Sequence, residues 1–304
     1  MSEFDPQKVQ TCLAANGLPA ELDYSLASLC TYKVGGSADV FVEIHDVEEL
    51  SDVSEVVKEF NLDVLVVGKG SNLLVSDSGF RGLVIQLGSG FDFVEITENR
   101  LIAGGITFLP IAARKSAAAS LAGFEWAVGV PGSIGGAVRM NAGGHGSDMA
   151  ESLVTADVYD LATGELTSLD PKAMELGYRT SNLLPHQIVV SATFELEPGD
   201  KETSETAISN IVKWRRENQP GGQNAGSVFA NPDGDYAARL IDNCGLKGFR
   251  IGTAEVSEKH ANFIQADRDA KAEDVYLLIQ AIQEKVREKT GFELHPENKL
   301  IGFS

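Results

Sequence analysis

Between Val128 and Gly146 the chain reads Val-Gly-Val-Pro-Gly-Ser-Ile-Gly-Gly-Ala-Val-Arg-Met-Asn-Ala-Gly-Gly-His-Gly, with seven glycines in nineteen residues. A glycine inside a helix or strand costs roughly 0.5–1 kcal/mol relative to alanine. Such density therefore predicts a backbone that must approach something closely or turn through positive φ. A bulky, flat or phosphorylated ligand is the natural object of that approach. A second glycine loop, Gly68-Lys-Gly-Ser-Asn72, follows the apolar run Val64–Val67, which reads as a buried strand.

The 304 residues suffice for two or three domains, since a single core rarely grows far beyond about 250 residues. With 43% hydrophobic and 23% charged residues, the composition excludes disorder, collagen-like repetition and coiled coil. The 44 acidic residues against 25 basic ones give a net charge of −19, which repels nucleic acids and anionic membranes. Any anionic ligand then depends on local arginines. Cys12, Cys30 and Cys244 form neither a C-x-x-C pair nor an even set, so no disulfide framework or zinc site is expected. His45, His145, His186, His260 and His295 are scattered singly, and no metal is assigned. The start of the chain lacks a basic and then apolar leader, and no apolar run approaches eighteen residues. The expectation is a cytoplasmic protein without export or membrane insertion, in contact with neither nucleic acid nor membrane.

Helix and strand patterns alternate. Residues 1–30 read as a short helical lead-in followed by irregular chain. Val47, Leu50, Val53, Val57 and Phe60 recur at helical spacing behind an acidic first turn. Strands are predicted at Val64–Val67, Leu83–Leu87 and Arg100–Ala103, making one lobe of 31–103. A second lobe, 104–198, opens with an alanine-rich helix at Thr107–Leu121 and carries the glycine run. It continues in strands near Val154–Tyr159 and Ile188–Phe194, the first followed by a turn at Ala162–Glu165. After Glu197-Pro-Gly-Asp200 a unit of 199–304 is expected, with two long helices. Its last helix is the clearest: Val275, Leu278, Ile279, Ile282 and Val286 form one core-facing stripe, closed by Gly291.

Familiar nucleotide motifs do not fit. Gly68-x-Gly70 has Leu73 where a dinucleotide fingerprint needs glycine, and neither loop is a P-loop. No G-x-S-x-G nucleophile elbow occurs.

Eight separated segments resemble one family. They are Thr31–Gly36; Gly68–Val75 with Gly79–Gly82; Gly129–Val138 with Met140–Gly143; Tyr178–Leu183; Gln219-Pro220; Asn224–Phe229 with Asn231-Pro232; Lys259–Ile264; and Pro296-Glu297. In this order, over roughly residues 31 to 302, the chain is similar to the UDP-N-acetylenolpyruvoylglucosamine reductases, in their compact subgroup without the large insertion. The resemblance implies an α+β fold. A two-lobed FAD-binding domain of the vanillyl-alcohol-oxidase-like (PCMH) type would occupy 31–198, and an α+β substrate domain 199–304 would return its tail to the active site.

The resemblance also implies non-covalent FAD, NADPH as hydride donor, and UDP-N-acetylglucosamine enolpyruvate as substrate, in peptidoglycan precursor synthesis. Hydride would pass from flavin N5 to the vinyl carbon, and Ser227 would supply the proton. Arg179 would bind the substrate carboxylate and stabilise its growing charge. Glu297 would share that role, kept protonated by burial or relaying a proton. The cofactor contacts would come from Gly68, Lys69, Gly70, Ser71 and Asn72, a nest-like anion site. Further contacts would come from Gly129, Pro131, Gly132, Ser133, Ile134, Gly135, Gly136, Asn141, Ala142 and Gly143. Tyr178, Arg215, Gln219 and Asn231 would hold the UDP-sugar, with Arg216 also available or simply placed at a helix C-terminus. The chain departs from the family at Gly144-His145, where an alanine-aromatic pair is common, and at Asn298, where Val is usual. An FAD-dependent sugar or lactone oxidase of the same flavin fold, and a catalytically silent nucleotide-sugar-binding regulator, are the competing readings. A monomer is expected.

Overall fold

The computed structural model describes residues 4–303. By their contacts they form two compact units that are interleaved in sequence. The first takes the chain up to Tyr24, Ala38–Lys69 and Arg81–Lys213; the second takes Ser25–Ser37, Gly70–Phe80 and the chain from Trp214 onward.

The first unit holds two cores. One is built on helices α1 (Pro6–Ala15) and α2 (Val47–Phe60) and a sheet of four strands in the order Ala20–Ser25, Ser37–Ile44, Phe80–Leu87, Val64–Val66. Helix α2 starts where its sequence dictates: the Asp46 carboxylate accepts from the Glu49 N–H at 2.8 Å, and Glu49 reaches back to the His45 N–H. That reciprocal pair satisfies two donors a helix start otherwise leaves open. Leu50, Val53, Val56 and Val57 then turn inward together. The expectation of irregular chain before residue 30 is corrected, because Ala20–Ser25 is a strand. Its alternate residues Ala20, Leu22 and Tyr24 are the less exposed ones, and Tyr24 stacks on Phe41 at 4.0 Å.

The second core lies on an antiparallel sheet in the order Glu165–Leu169, Leu153–Asp160, Gln187–Glu195, Arg100–Gly104, Val94–Thr97. Helices α3 (Leu109–Ala118) and α4 (Ile134–Arg139) contribute to it. One strand feeds both cores. Asp157 pairs with Ser191 but Val158 with Val189, so Val190 is bulged out of register. Ile188 and Val190 belong to the first core, whereas Val189, Ala192 and Phe194 belong to the second. An extra residue in a strand reverses which face later side chains address.

Helix α5 (Lys201–Asn218) contains the division between units, at Lys213/Trp214. The contact boundary therefore falls inside a helix and departs from the Pro-Gly turn at 198–199 that composition suggests. The second unit has α6 (Ala237–Asn243), α7 (Ala272–Thr290), a three-stranded antiparallel sheet and a parallel pair between Leu73–Val75 and Lys299–Ile301. In α7 the five stripe residues are all buried, and Gly291 ends it at φ 77. Each contributes about 1.5–3 kcal/mol by burial. The α7 N-terminus is closed from afar: the Asp77 carboxylate accepts from the N–H groups of Ala272 and Glu273, both at 3.0 Å.

Candidate active site

In the first unit, Val66, Gly68, Gly105, Ser133, Gly136 and Arg139 line part of a small cleft of ≈ 60 Å³. The glycine run shapes it, though not for one reason throughout. A Cβ on Gly135 would sit 2.9 Å from the Val189 carbonyl oxygen and 3.1 Å from that of Gly105, so this glycine lets α4 press against the sheet. Packing is one reason for a glycine here, and Gly135 also lines the cleft. The first-turn donors of α4 are likewise committed: Ile134 N–H to Thr107 O, Gly135 N–H to Gly105 O and Gly136 N–H to Ser133 Oγ. Ile134 is fully buried in the second core. Above Gly129 lies the His145 ring, whose Cδ2 would be 2.7 Å from an added Cβ.

Arg139 was not foreseen. Its guanidinium donates to the carbonyls of Leu183 and Leu184, both at 3.1 Å, and of Gln187, and burial lowers its pKa. It brings a cation to the cleft wall in an otherwise acidic chain. Its position in Val-Arg-Met could have flagged it, because it is the lone charge of the glycine run apart from His145.

Arg179 sits at φ 57, flanked by a bridge between Gly177 and Thr180. Its Nη2 donates to Gly143 O at 2.7 Å and its guanidinium lies 5.2 Å from the centroid of the exposed Tyr178 ring. Asn141, expected to touch the cofactor, instead spends its side chain on the protein. Its Nδ2 donates to Gly177 O at 3.0 Å and its Oδ1 accepts from Ala150 N–H at 3.0 Å. The Asn-Ala-Gly segment thus ties down the turn that carries Arg179.

In the second unit, Ser227 is half-buried on a turn opened by Gly226 at φ 74. Asn262, 4% exposed, holds the next residues: its Nδ2 donates to Phe229 O at 2.8 Å and its Oδ1 accepts from Phe229 N–H at 3.0 Å. Glu297 arrives through its own N–H, which donates to Val228 O at 2.7 Å. Its residue is half-buried. Asn72 joins the same group, its Nδ2 donating to Glu297 O at 3.0 Å. Segments over 200 residues apart in sequence thereby converge.

Arg215 and Gln219 pair with each other, Nε to Oε1 at 2.9 Å, and burial lowers the Arg215 pKa. Asn231 uses its Oδ1 to accept from the Ala237 N–H at the start of α6.

The residues fit a flavin dinucleotide. Among the hydrogen bonds of the described residues, the backbone N–H groups of Lys69, Gly70, Ser71 and Asn72 donate to no protein acceptor, although Gly70 O and Asn72 O both accept. Consecutive N–H groups left without a protein acceptor are the donor set a pyrophosphate needs. Gly70 is required there by geometry: φ is 61, and a Cβ would fall 1.8 Å from Leu29 O.

Known proteins agree with this layout. Residues 38–170 match the family described as FAD binding domain, and residues 218–301 match the family described as UDP-N-acetylenolpyruvoylglucosamine reductase, C-terminal domain. The chain is 40% identical over 280 residues to the UDP-N-acetylenolpyruvoylglucosamine reductase of Bacillus subtilis, covering 91% of this chain and 92% of that one. It is 40% identical over 299 residues to the enzyme of that name from Halalkalibacterium halodurans, covering 97% and 99%. The crystal structure of the Thermus caldophilus reductase superposes with TM-score 0.80 at 33% identity, over 93% of this chain and 98% of that one. A glucose oxidase variant of Phl p 4, at 16% identity and TM-score 0.51, over 73% of this chain and 51% of its own, shares the fold alone.

Proposed function

This chain belongs to the UDP-N-acetylenolpyruvoylglucosamine reductase family, and from that premise we propose that it uses NADPH to convert UDP-N-acetylglucosamine enolpyruvate into UDP-N-acetylmuramate. It is an oxidoreductase of peptidoglycan synthesis with FAD as cofactor. The observation that carries the finer reading is that Glu297 and Asn72 meet beside Ser227 in one unit, the Glu297 N–H donating to the O of the adjacent Val228 and the Asn72 amide to Glu297 O.

When bound, FAD supplies hydride chemistry between NADPH and the alkene terminus of the substrate. The uncommitted N–H groups of Lys69–Asn72 hold its pyrophosphate, and the Gly68–Gly136 wall gives the cleft its depth. Arg179 binds the substrate carboxylate, and its planar guanidinium gains strength as charge accumulates on that group. Held by Gly143 O and by the Tyr178 ring, it cannot wander, so little ordering remains to be done on binding. Tyr178 lines the same ligand. Arg215 and Gln219, already paired, present one cationic edge to the diphosphate.

Ser227 protonates the carbon next to the carboxylate. A serine hydroxyl is a weak acid, so it serves only against a strongly basic carbon at hydrogen-bond reach. Its Oγ donates to no acceptor among the described residues, which leaves the proton available. Glu297 holds or relays a proton beside it. We place the activity in the cytoplasm and the enzyme as a monomer; no described helix is long and apolar enough to cross a membrane.

The test is anaerobic stopped flow at the flavin band, with NADPH added first and the enolpyruvyl substrate second. The expected result is bleaching by NADPH and recovery on substrate, with recovery slowed about 10²- to 10⁴-fold in Ser227→Ala while bleaching stays unchanged. Recovery by oxygen but not by substrate would refute the reading.

A further inference from the structure

Asn298 has no part in the chemistry above, yet it is a buried polar side chain beside Ser227, at 3% exposure. Its Nδ2 faces three oxygens of the second unit: Asn72 Oδ1 at 2.8 Å, Ala225 O at 3.2 Å and Ser227 O at 3.4 Å. A primary amide has two N–H bonds, so three acceptors share two donors. This fixes the amide's orientation, because the reverse would place an oxygen against three others with no proton between them. Asn72 is in turn gripped by three consecutive residues. Its Nδ2 donates to Glu297 O, its Oδ1 accepts from Asn298, and its main-chain O accepts from Lys299 N–H at 2.8 Å.

The Oδ1 of Asn298 is buried and accepts from no donor. A buried amide with an unmatched oxygen is less stable than an aliphatic side chain of the same size. What the amide provides is a link that an aliphatic residue cannot make: one nitrogen spans the loop with the uncommitted N–H groups and the turn bearing Ser227.

We propose that Asn298 is a positioning residue that couples the flavin-phosphate loop, through Asn72, to the main chain of the proton donor Ser227. This rests on the roles given above to Asn72 and Ser227. The coupling has a specific consequence. Losing the amide loosens both ends together, lowering FAD affinity and slowing the half-reaction that needs the proton, while the half-reaction that does not need Ser227 is spared.

The experiment compares Asn298→Leu, Asn72→Ala and the double variant. FAD binding to the flavin-free protein is read by quenching of flavin fluorescence, and the two half-reactions are read separately at saturating FAD. Asn298→Leu is expected to raise the FAD Kd and slow substrate-driven recovery about tenfold each, leaving NADPH-driven bleaching within about twofold. Adding Asn72→Ala should worsen the Kd little further, because the two residues act through one link. Equal slowing of both half-reactions, an unchanged Kd, or additive effects in the double variant would overturn the proposal. Should Asn298→Leu fail to fold by circular dichroism, Asn298→Ser is put through the same measurements with the same expectations. A wild-type protein that bleaches but ignores the enolpyruvyl substrate would sink the functional reading instead, and the FAD titrations would still judge the link.

Discussion

Asn262 is where the fold's dependence on one side chain can be measured most directly. Phe229 is 1% exposed, and both its N–H and its C=O are satisfied by the Asn262 amide. Asn262→Ala leaves two buried main-chain groups without partners. Each costs roughly 1–3 kcal/mol, and water entering the small void returns part of it, so the local penalty is about 2–4 kcal/mol. Every 1.4 kcal/mol is tenfold in an opening equilibrium, so amide exchange across 224–231 should accelerate between about 30-fold and several hundredfold. Hydrogen exchange followed by mass spectrometry reads this without requiring the whole chain to unfold in one step. The peptide covering 153–160, in the other unit, is the internal control. Exchange across 224–231 within threefold of wild type, or an equal acceleration in both peptides, would refute the reasoning: the first denies the amide its role, and the second makes the effect global. Turnover should fall with the loop, since Ser227 lies two residues before Phe229.

Four further outcomes are expected. Gly143→Ala places a Cβ 2.6 Å from both Ser147 O and Asp148 Cβ and should cost about 1–3 kcal/mol, whereas Gly144→Ala meets nothing within 4 Å and should stay within about 0.5 kcal/mol; paired thermal melts decide. Gly70→Ala combines positive φ with a collision on Leu29 O and should abolish flavin retention on gel filtration. Asp77→Ala removes the acceptor that closes α7 and should destabilise the second unit by about 1 kcal/mol in urea melts followed by hydrogen exchange of α7. Burial, helped by Lys247, lowers the His260 pKa, and its Nδ1 accepts from the Asn262 N–H, so the folded form prefers it neutral. Below about pH 6.5 the unfolded chain takes up a proton the folded chain resists, so stability present above that value is lost as pH falls. The wild-type melting temperature should therefore drop between pH 7 and pH 5, and His260→Gln should flatten that dependence.

Periodic elements were legible because a single physical rule writes them. The α7 stripe and the acidic first turn of α2 are local, and each is complete within a few residues. Ala20–Ser25 escaped notice because its alternation is carried by only Ala20, Leu22 and Tyr24, and its partner strand lies beyond an intervening segment. The candidate site was legible as a set of motifs but not as a division of labour. Asn141 and Asn262 sit in motifs that invite a ligand role, and the structure spends both on main-chain groups. Asn298 read as a departure after Glu297, and nothing local could announce that its partner is Asn72. Likewise Ser25–Ser37 and Gly70–Phe80 join the second unit by contacts that chain order does not predict.

That interleaving bears on when the molecule becomes competent during its own synthesis. Leu73–Val75 has its parallel neighbour in Lys299–Ile301, which is made long after it. A nascent chain thus displays the glycine loop early, but the strand, the Asn72 grip and the Asp77 closure of α7 fall into place only after residues 272–301 have been made. A chain lacking residues 297–301 would keep every glycine of the loop and still lose the residues that brace Asn72, so flavin uptake would report that this late segment is in place.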